Sequence, residues 1–201
     1  MAQQSQSLYV TLLEFESFLS ESNAPILKML NPGIKFESAR QVLGDLQVPP
    51  DVFQLYSWKN GILRDNNLTL GEQWLFPMGM FLPVELAVER YTKIAARRWG
   101  ADKFPLFASW GGEFFLVECH GQQQKSETVY YYNPGAVDSD IIVSAYDSLL
   151  TMFQTILECY RRKVYYYDNV TGQIEFDLSL AKEIAIPLNS NSEYWRLIPG
   201  P

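Results

Sequence analysis

The segment Glu113-Phe114-Phe115-Leu116-Val117-Glu118-Cys119 sets the first constraint on this chain. Side chains alternate across a strand, so Phe115, Val117 and Cys119 fall on one face and Phe114, Leu116 and Glu118 on the other. Both faces are largely apolar. Such a strand needs cover on both sides, whether from helices, a second layer or a partner. Phe104 to Ser109 reads as a neighbouring strand with Pro105 near its start, hence at an edge or entry. Trp110-Gly111-Gly112 forms the turn between the two. Thr128 to Tyr132 reads as a third strand, closed by Asn133-Pro134-Gly135. Three strands so close in sequence are most economically an antiparallel meander.

Helical stripes surround these strands. Leu8, Leu12, Phe15 and Leu19 fall at i, i+4, i+7 and i+11, which predicts an amphipathic helix. Asn31-Pro32-Gly33 stops a short helix begun near Ala24. Pro49-Pro50 sets the chain extended, and Asp51 is placed to cap a short buried helix carrying Val52, Phe53, Leu55 and Tyr56. Asn60-Gly61 offers the left-handed residues that end a helix, and the polar run after it argues against a hairpin. Pro83 opens a longer helix with Val84, Ala87, Val88, Tyr91, Ile94 and Ala95 on one stripe, ended by Gly100. Ser144-Ala145-Tyr146-Asp147 resembles a capping box and opens a helix running through Leu149, Phe153, Ile156 and Tyr160. Val164–Tyr167 and Gln173–Phe176 are spaced as a hairpin, and Ser179–Ala185 as a last helix. From Asn189 the tail is expected to be loose, apart from Tyr194-Trp195. The expected fold class is α+β, a mainly antiparallel sheet flanked by helices in one domain.

At 201 residues and 47% hydrophobic the chain can bury a full core. A net charge of −7 repels phosphate backbones, so nucleic acid is not expected as a partner. The basic groups Arg97-Arg98 and Arg161-Arg162-Lys163 fall at predicted helix ends, where they complement the dipole. No window reaches the roughly 18 apolar residues of a membrane span, and no signal peptide is visible. Two cysteines, Cys119 and Cys159, sit in apolar segments and read as buried thiols of a cytoplasmic protein.

Catalytic material is thin. The single histidine, His120, excludes sites built on several histidines, and two cysteines exclude a paired CxxC zinc site. Cys119 and His120 are strand neighbours whose side chains diverge. Glu113 and Glu118 fall on opposite faces, and Asp138 and Asp140 read as solvated loop acids. GxxxxGK, GxGxxG and GxSxG are all absent, so neither a cofactor nor an enzymatic activity is expected. Aromatic supply stands out at 14%, including Trp58, Trp74, Trp99, Trp110 and Trp195. Consecutive tyrosines at Tyr130–Tyr132 and Tyr165–Tyr167 alternate faces, so some ring surface is expected to reach solvent. A purely structural role for these rings and a role at a binding surface both remain open.

The order of motifs resembles the SUKH superfamily, which includes fungal cell-wall-assembly regulators and bacterial toxin-immunity proteins. Pro49-Pro50-Asp51 leads into Phe53, Tyr56, Trp58 and Asn60-Gly61. Phe104–Ser109 with Gly111-Gly112-Glu113 is similar to the family's strand and Gly-Gly-acid turn. Val129-Tyr130-Tyr131-Tyr132-Asn133 is similar to its next strand, and the helix after Ser144 to its closing helix. The resemblance covers about Phe36 to Lys163. It departs where Glu113 replaces the usual Asp and where Asn133-Pro134 replaces an acidic residue. It implies a core domain over 36–163, an N-terminal helical extension over 1–35 packed on it, and a C-terminal hairpin, helix and tail over 164–201. It also implies binding without catalysis: an immunity-type protein masking a toxin domain, possible partners including a basic nuclease, or a general regulatory and scaffolding module. Trp58, Asn60, Trp110, Glu113 and Tyr131 are the expected protein-binding residues.

Overall fold

A computed structural model of the chain describes residues 7–109, 111–119, 127–135, 140–168 and 170–199. Trp110, His120 and Asp138 lie outside the described residues. The fold is α+β. Helix α1 (Leu8–Glu21) starts at Ser7, whose hydroxyl accepts the Val10 N–H, and buries the predicted stripe of Leu8, Leu12, Phe15 and Leu19. A 3₁₀ turn at Pro25–Lys28 leads into strand β1 (Leu30–Pro32). Helix α2 (Phe36–Leu43) ends at Gly44 with φ +59°.

Helix α3 (Pro50–Trp58) is where two expectations fail. Its cap position is Pro49, and Asp51 sits inside the first turn with its carboxylate accepting the Gln54 amide at 3.1 Å. Pro50 needs no N–H partner at the first helical position, so the side-chain cap is dispensable. Asn60-Gly61 does not stop the helix either. The chain leaves α3 at Lys59 with φ −145° and ψ 147°, directly into strand β2 (Lys59–Ile62). That strand pairs antiparallel with β1, in the stretch read as a helix end, with a bulge between Leu30 and Pro32. Helix and strand are thus joined without a left-handed link, and Gly61 spends its φ of +68° within β2.

A 3₁₀ turn (Gly71–Gln73) precedes strand β3 (Met80–Phe81), and helix α4 (Val84–Arg98) follows. Gly100 closes α4 with φ +95°, its N–H bound to the Ala95 carbonyl. Strands β4 (Lys103–Ala108), β5 (Phe114–Glu118), β6 (Val129–Asn133) and β7 (Ile141–Tyr146) complete the sheet. Its order is β3-β4-β5-β6-β7, every neighbour antiparallel: the expected meander, widened by one strand at each side. Pro105 lies past the end of the two-residue β3, where β4 is an edge, as its missing N–H requires.

Ser144, Ala145 and Tyr146 belong to β7, not to a helix start. Ser148 is the cap of helix α5 (Leu149–Arg161), in a reciprocal box with Thr151. Pairing with β6 decides the difference, because Tyr130↔Ser144 and Val129↔Tyr146 extend the ladder to the end of β7. Strands β8 (Tyr165–Tyr167) and β9 (Ile174–Phe176) form the expected hairpin. Helix α6 (Leu178–Leu188) is capped by Asp177, whose carboxylate accepts two N–H groups. The tail is not loose: it folds into helix α7 (Tyr194–Leu197), and Trp195 is buried.

Both faces of the sheet are covered, as the β5 pattern demands. On one face Trp99, at the C-terminal cap of α4, packs 4.7 Å from Phe114 and 5.1 Å from Tyr132. On the other, Phe107 and Phe115 meet Phe76, while Phe107 also meets Phe153 of α5. Two covered faces explain why the tyrosine runs project little surface. Tyr131, Tyr132 and Tyr165 are buried and only Tyr166, at 50%, is well exposed. Among the described residues no helix is long and apolar enough to cross a membrane.

Candidate functional site

The five expected binding residues are not gathered in one place. Trp58 is buried between α1 and α5, 6.2 Å from Phe15 and 6.0 Å from Phe153, and its indole N–H donates to Glu16 at 2.8 Å. The second Glu16 oxygen takes Lys59 at 2.7 Å, so one carboxylate ties α3 to α1. Trp110 lies outside the described residues. Glu113 accepts the Ser109 hydroxyl and latches the Gly-Gly turn between β4 and β5. Tyr131 packs 5.4 Å from Phe115 and 4.8 Å from Tyr194. Burial, with the nearby Glu113 charge, pushes its phenol up to about 12. Glu113 and Tyr131 therefore share one neighbourhood, while Trp58 and Asn60 stand elsewhere.

Asn60 builds the start of α4. Its Oδ1 accepts the Val84 N–H at 2.9 Å, and its Nδ2 donates to Glu85 at 3.4 Å. Pro83 occupies the cap position of α4 and provides no side-chain acceptor, so a residue from β2 caps the helix from outside. Asn60→Ala is expected to cost roughly 1–2 kcal/mol, and Glu85→Gln much less because it leaves the Oδ1 acceptor on the Val84 N–H. Urea unfolding checks this. Equal losses for the two variants would remove Oδ1 as the cause.

Held in this way, α4 lies along a groove of about 640 Å³ whose far side is formed by Ser109, Gly111 and Gly112 with Tyr132 and Pro134 at the end of β6. Its apolar wall includes Leu82, Leu86, Ile94 and Phe114. Three of the chain's eight arginines, Arg64, Arg90 and Arg98, also line it. Leu86, Arg90, Ile94 and Arg98 stand four residues apart, on one stripe of α4. Arg98 lies 3.5 Å from Asp140. The Tyr132 hydroxyl is buried beside this pair and interacts with both Asp140 and Arg98, but among the described residues it makes no well-formed hydrogen bond. Burial, and then Asp140, raise the phenol pKa, and Arg98 opposes them.

A second pocket, lined by Phe18 and Tyr165–Tyr167 among others, offers less. There the Tyr160 and Tyr167 hydroxyls already donate to the carbonyls of Leu75 and Trp74, both at 3.0 Å. The groove's four-residue spacing stands in the sequence, but Ile94 reads there as part of the buried stripe and Arg97-Arg98 as dipole compensation. Arg64 and Tyr132 reach the groove only through the folded topology.

Among the described residues no three His, Cys, Asp or Glu side chains come together to hold a metal ion. Both thiols are buried. Burial pushes Cys119 up to about 11 and Cys159 to about 12, so neither is a thiolate at neutral pH. In the unfolded chain they titrate near 8.5, so the folded state binds more protons above that pH. Stability is then full below about pH 8 and falls as pH rises toward the folded values. We expect a loss of about 1 kcal/mol per thiol between pH 7.5 and 9.5 in urea unfolding. An unchanged midpoint would show the thiols to be open to water. A scan against protein-family models and a search of curated proteins found no match for this chain.

Proposed function

We propose that this chain is a cytoplasmic, non-catalytic protein-binding domain of the SUKH type, most specifically an immunity protein that binds and neutralises a toxin domain. The observation that carries the binding reading is the groove along α4. It combines apolar surface with three arginines, on a chain whose net charge is −7. Arginine over apolar ground suits a partner element that is itself apolar and acidic, because the guanidinium fork matches a carboxylate. The acidic remainder of the surface suits a partner that is basic overall, as a nuclease is. A toxin domain with both features satisfies the two surfaces together. The motif order Pro49-Pro50, Asn60-Gly61 and Gly111-Gly112-Glu113, now placed on α3, β2 and the β4–β5 turn, supports the family reading.

Toxin domains encoded beside this gene are the partners to assay. Calorimetry with the purified chain should give saturable binding, and the double variant Arg90→Glu/Arg98→Glu should weaken it by roughly 30-fold or more. Both arginines are exposed, so the fold tolerates the change. Absence of binding to every neighbouring polypeptide would discard the immunity form. Recovery of a housekeeping protein as the specific partner would replace it with a regulatory module.

A further inference from the structure

We infer that the α4 groove receives an acidic amphipathic helix of the partner, with Arg98 and Tyr132 taking one carboxylate and Arg90 a second. This rests on the protein-binding reading and names the element that the partner presents. Leu86, Arg90, Ile94 and Arg98 alternate apolar and cationic groups along one stripe of α4, all of them lining the groove. Arg90 and Arg98 therefore stand roughly 12 Å apart along the helix axis. A second helix has the same rise, so a stripe of Glu, Leu, Glu and Leu at four-residue spacing meets this one position for position. Laid antiparallel, it brings its N-terminal acid to Arg98, where the acid also complements its own helix dipole.

Tyr132 makes the Arg98 end a built site. Its hydroxyl is buried in the groove wall and, among the described residues, makes no well-formed hydrogen bond, interacting only with the loosely held Asp140 and Arg98, an arrangement that leaves room for a better acceptor. A carboxylate reaching Arg98 would supply it. Meanwhile Asp140 stands 3.5 Å from the same guanidinium, longer than a well-made charge-assisted bond. The chain's own acid thus holds loosely the place that a partner's acid would take. Displacing it costs binding energy, so Asp140 weakens the site it occupies.

The probe is a blocked 18-residue peptide with Glu and Leu alternating every fourth position on an Ala, Gln and Lys background. Its control has the same composition with the glutamates moved round the helix. Fluorescence anisotropy should show the patterned peptide binding at least about tenfold more tightly, with affinity falling as salt rises. Arg98→Gln should weaken it about tenfold and Tyr132→Phe severalfold, with the melting temperature of the Phe variant unchanged or raised. Asp140→Asn should tighten it about threefold or more, an outcome that a merely structural Asp140 would not produce. Equal binding of the two peptides, or no tightening in Asp140→Asn, would overturn the inference. The two levels also separate cleanly. A toxin partner that binds the Arg90→Glu/Arg98→Glu chain undiminished leaves the protein-binding reading standing and removes the helix from the groove.

Discussion

Gly61→Ala is expected to cost roughly 3–5 kcal/mol of folding stability, enough to shift a urea midpoint by more than about 1 M. Two penalties coincide at this residue. Its φ of +68° strains any residue with a Cβ, and that Cβ would stand 2.2 Å from the Pro83 nitrogen and 2.4 Å from the Leu82 carbonyl carbon. The obstruction is backbone, so no rotamer relieves it. Leu82 cannot retreat, because it is buried and its N–H donates to Leu106 in β4. Pro83 cannot either, since it leads into α4, whose first N–H is held by Asn60. Gly44→Ala separates the two penalties: φ there is +59°, but nothing lies within 4 Å of the added carbon. That variant should lose only about 2 kcal/mol, the backbone cost alone. Equal losses at the two positions would mean that β2 does not press against the start of α4.

Asn60-Gly61 also shows where sequence reasoning succeeds and where it stops. The pair was legible as special, since few other residues tolerate a positive φ, but its role was not. A helix stop and a bulged strand ask for the same residue types, and only the pairing of β2 with Leu30–Pro32 decides between them. Local pattern carried furthest where one element sets its own period, as in α1, α4 and the double-sided β5. It misled at Ser144-Ala145-Tyr146-Asp147, where a cap-like spacing was overridden by the β6 ladder. The tyrosine runs were read as too many for one buried face, and the sheet answers by burying both. As for the groove, the four-residue spacing of Leu86, Arg90, Ile94 and Arg98 stands in the sequence, but Ile94 reads there as part of the buried stripe and Arg98 as dipole compensation. The concave shape was not readable, because Arg64, the Gly-Gly turn and Tyr132 arrive from distant parts of the chain.

Trp195→Ala should cost about 4 kcal/mol, the middle of the range for truncating a core aromatic residue. The residue belongs to a segment whose composition, Asn189-Ser190-Asn191-Ser192, suggests a disordered tail, yet its side chain is only 1% exposed. Its ring meets Tyr146 of β7 at 5.9 Å and Tyr194 at 5.1 Å. The polar residues before it are what deliver it there. Asn189 donates to the Thr155 hydroxyl at 3.0 Å and accepts the Asp147 N–H at 3.1 Å, and the Glu193 N–H reaches the Ser144 carbonyl at 2.9 Å. A run of Asn and Ser is disordered only if its hydrogen bonds go to water, and here they go to α5 and β7. Trp195→Phe distinguishes the ring from its N–H. Among the described residues the buried indole nitrogen has no hydrogen-bond partner, so losing it removes an unsatisfied donor while keeping most of the packing. The Phe variant should therefore stay within about 1 kcal/mol of the parent. An Ala variant as stable as the parent in urea would detach the tail from the core. A Phe variant as damaged as Ala would mean that the indole N–H is bonded after all.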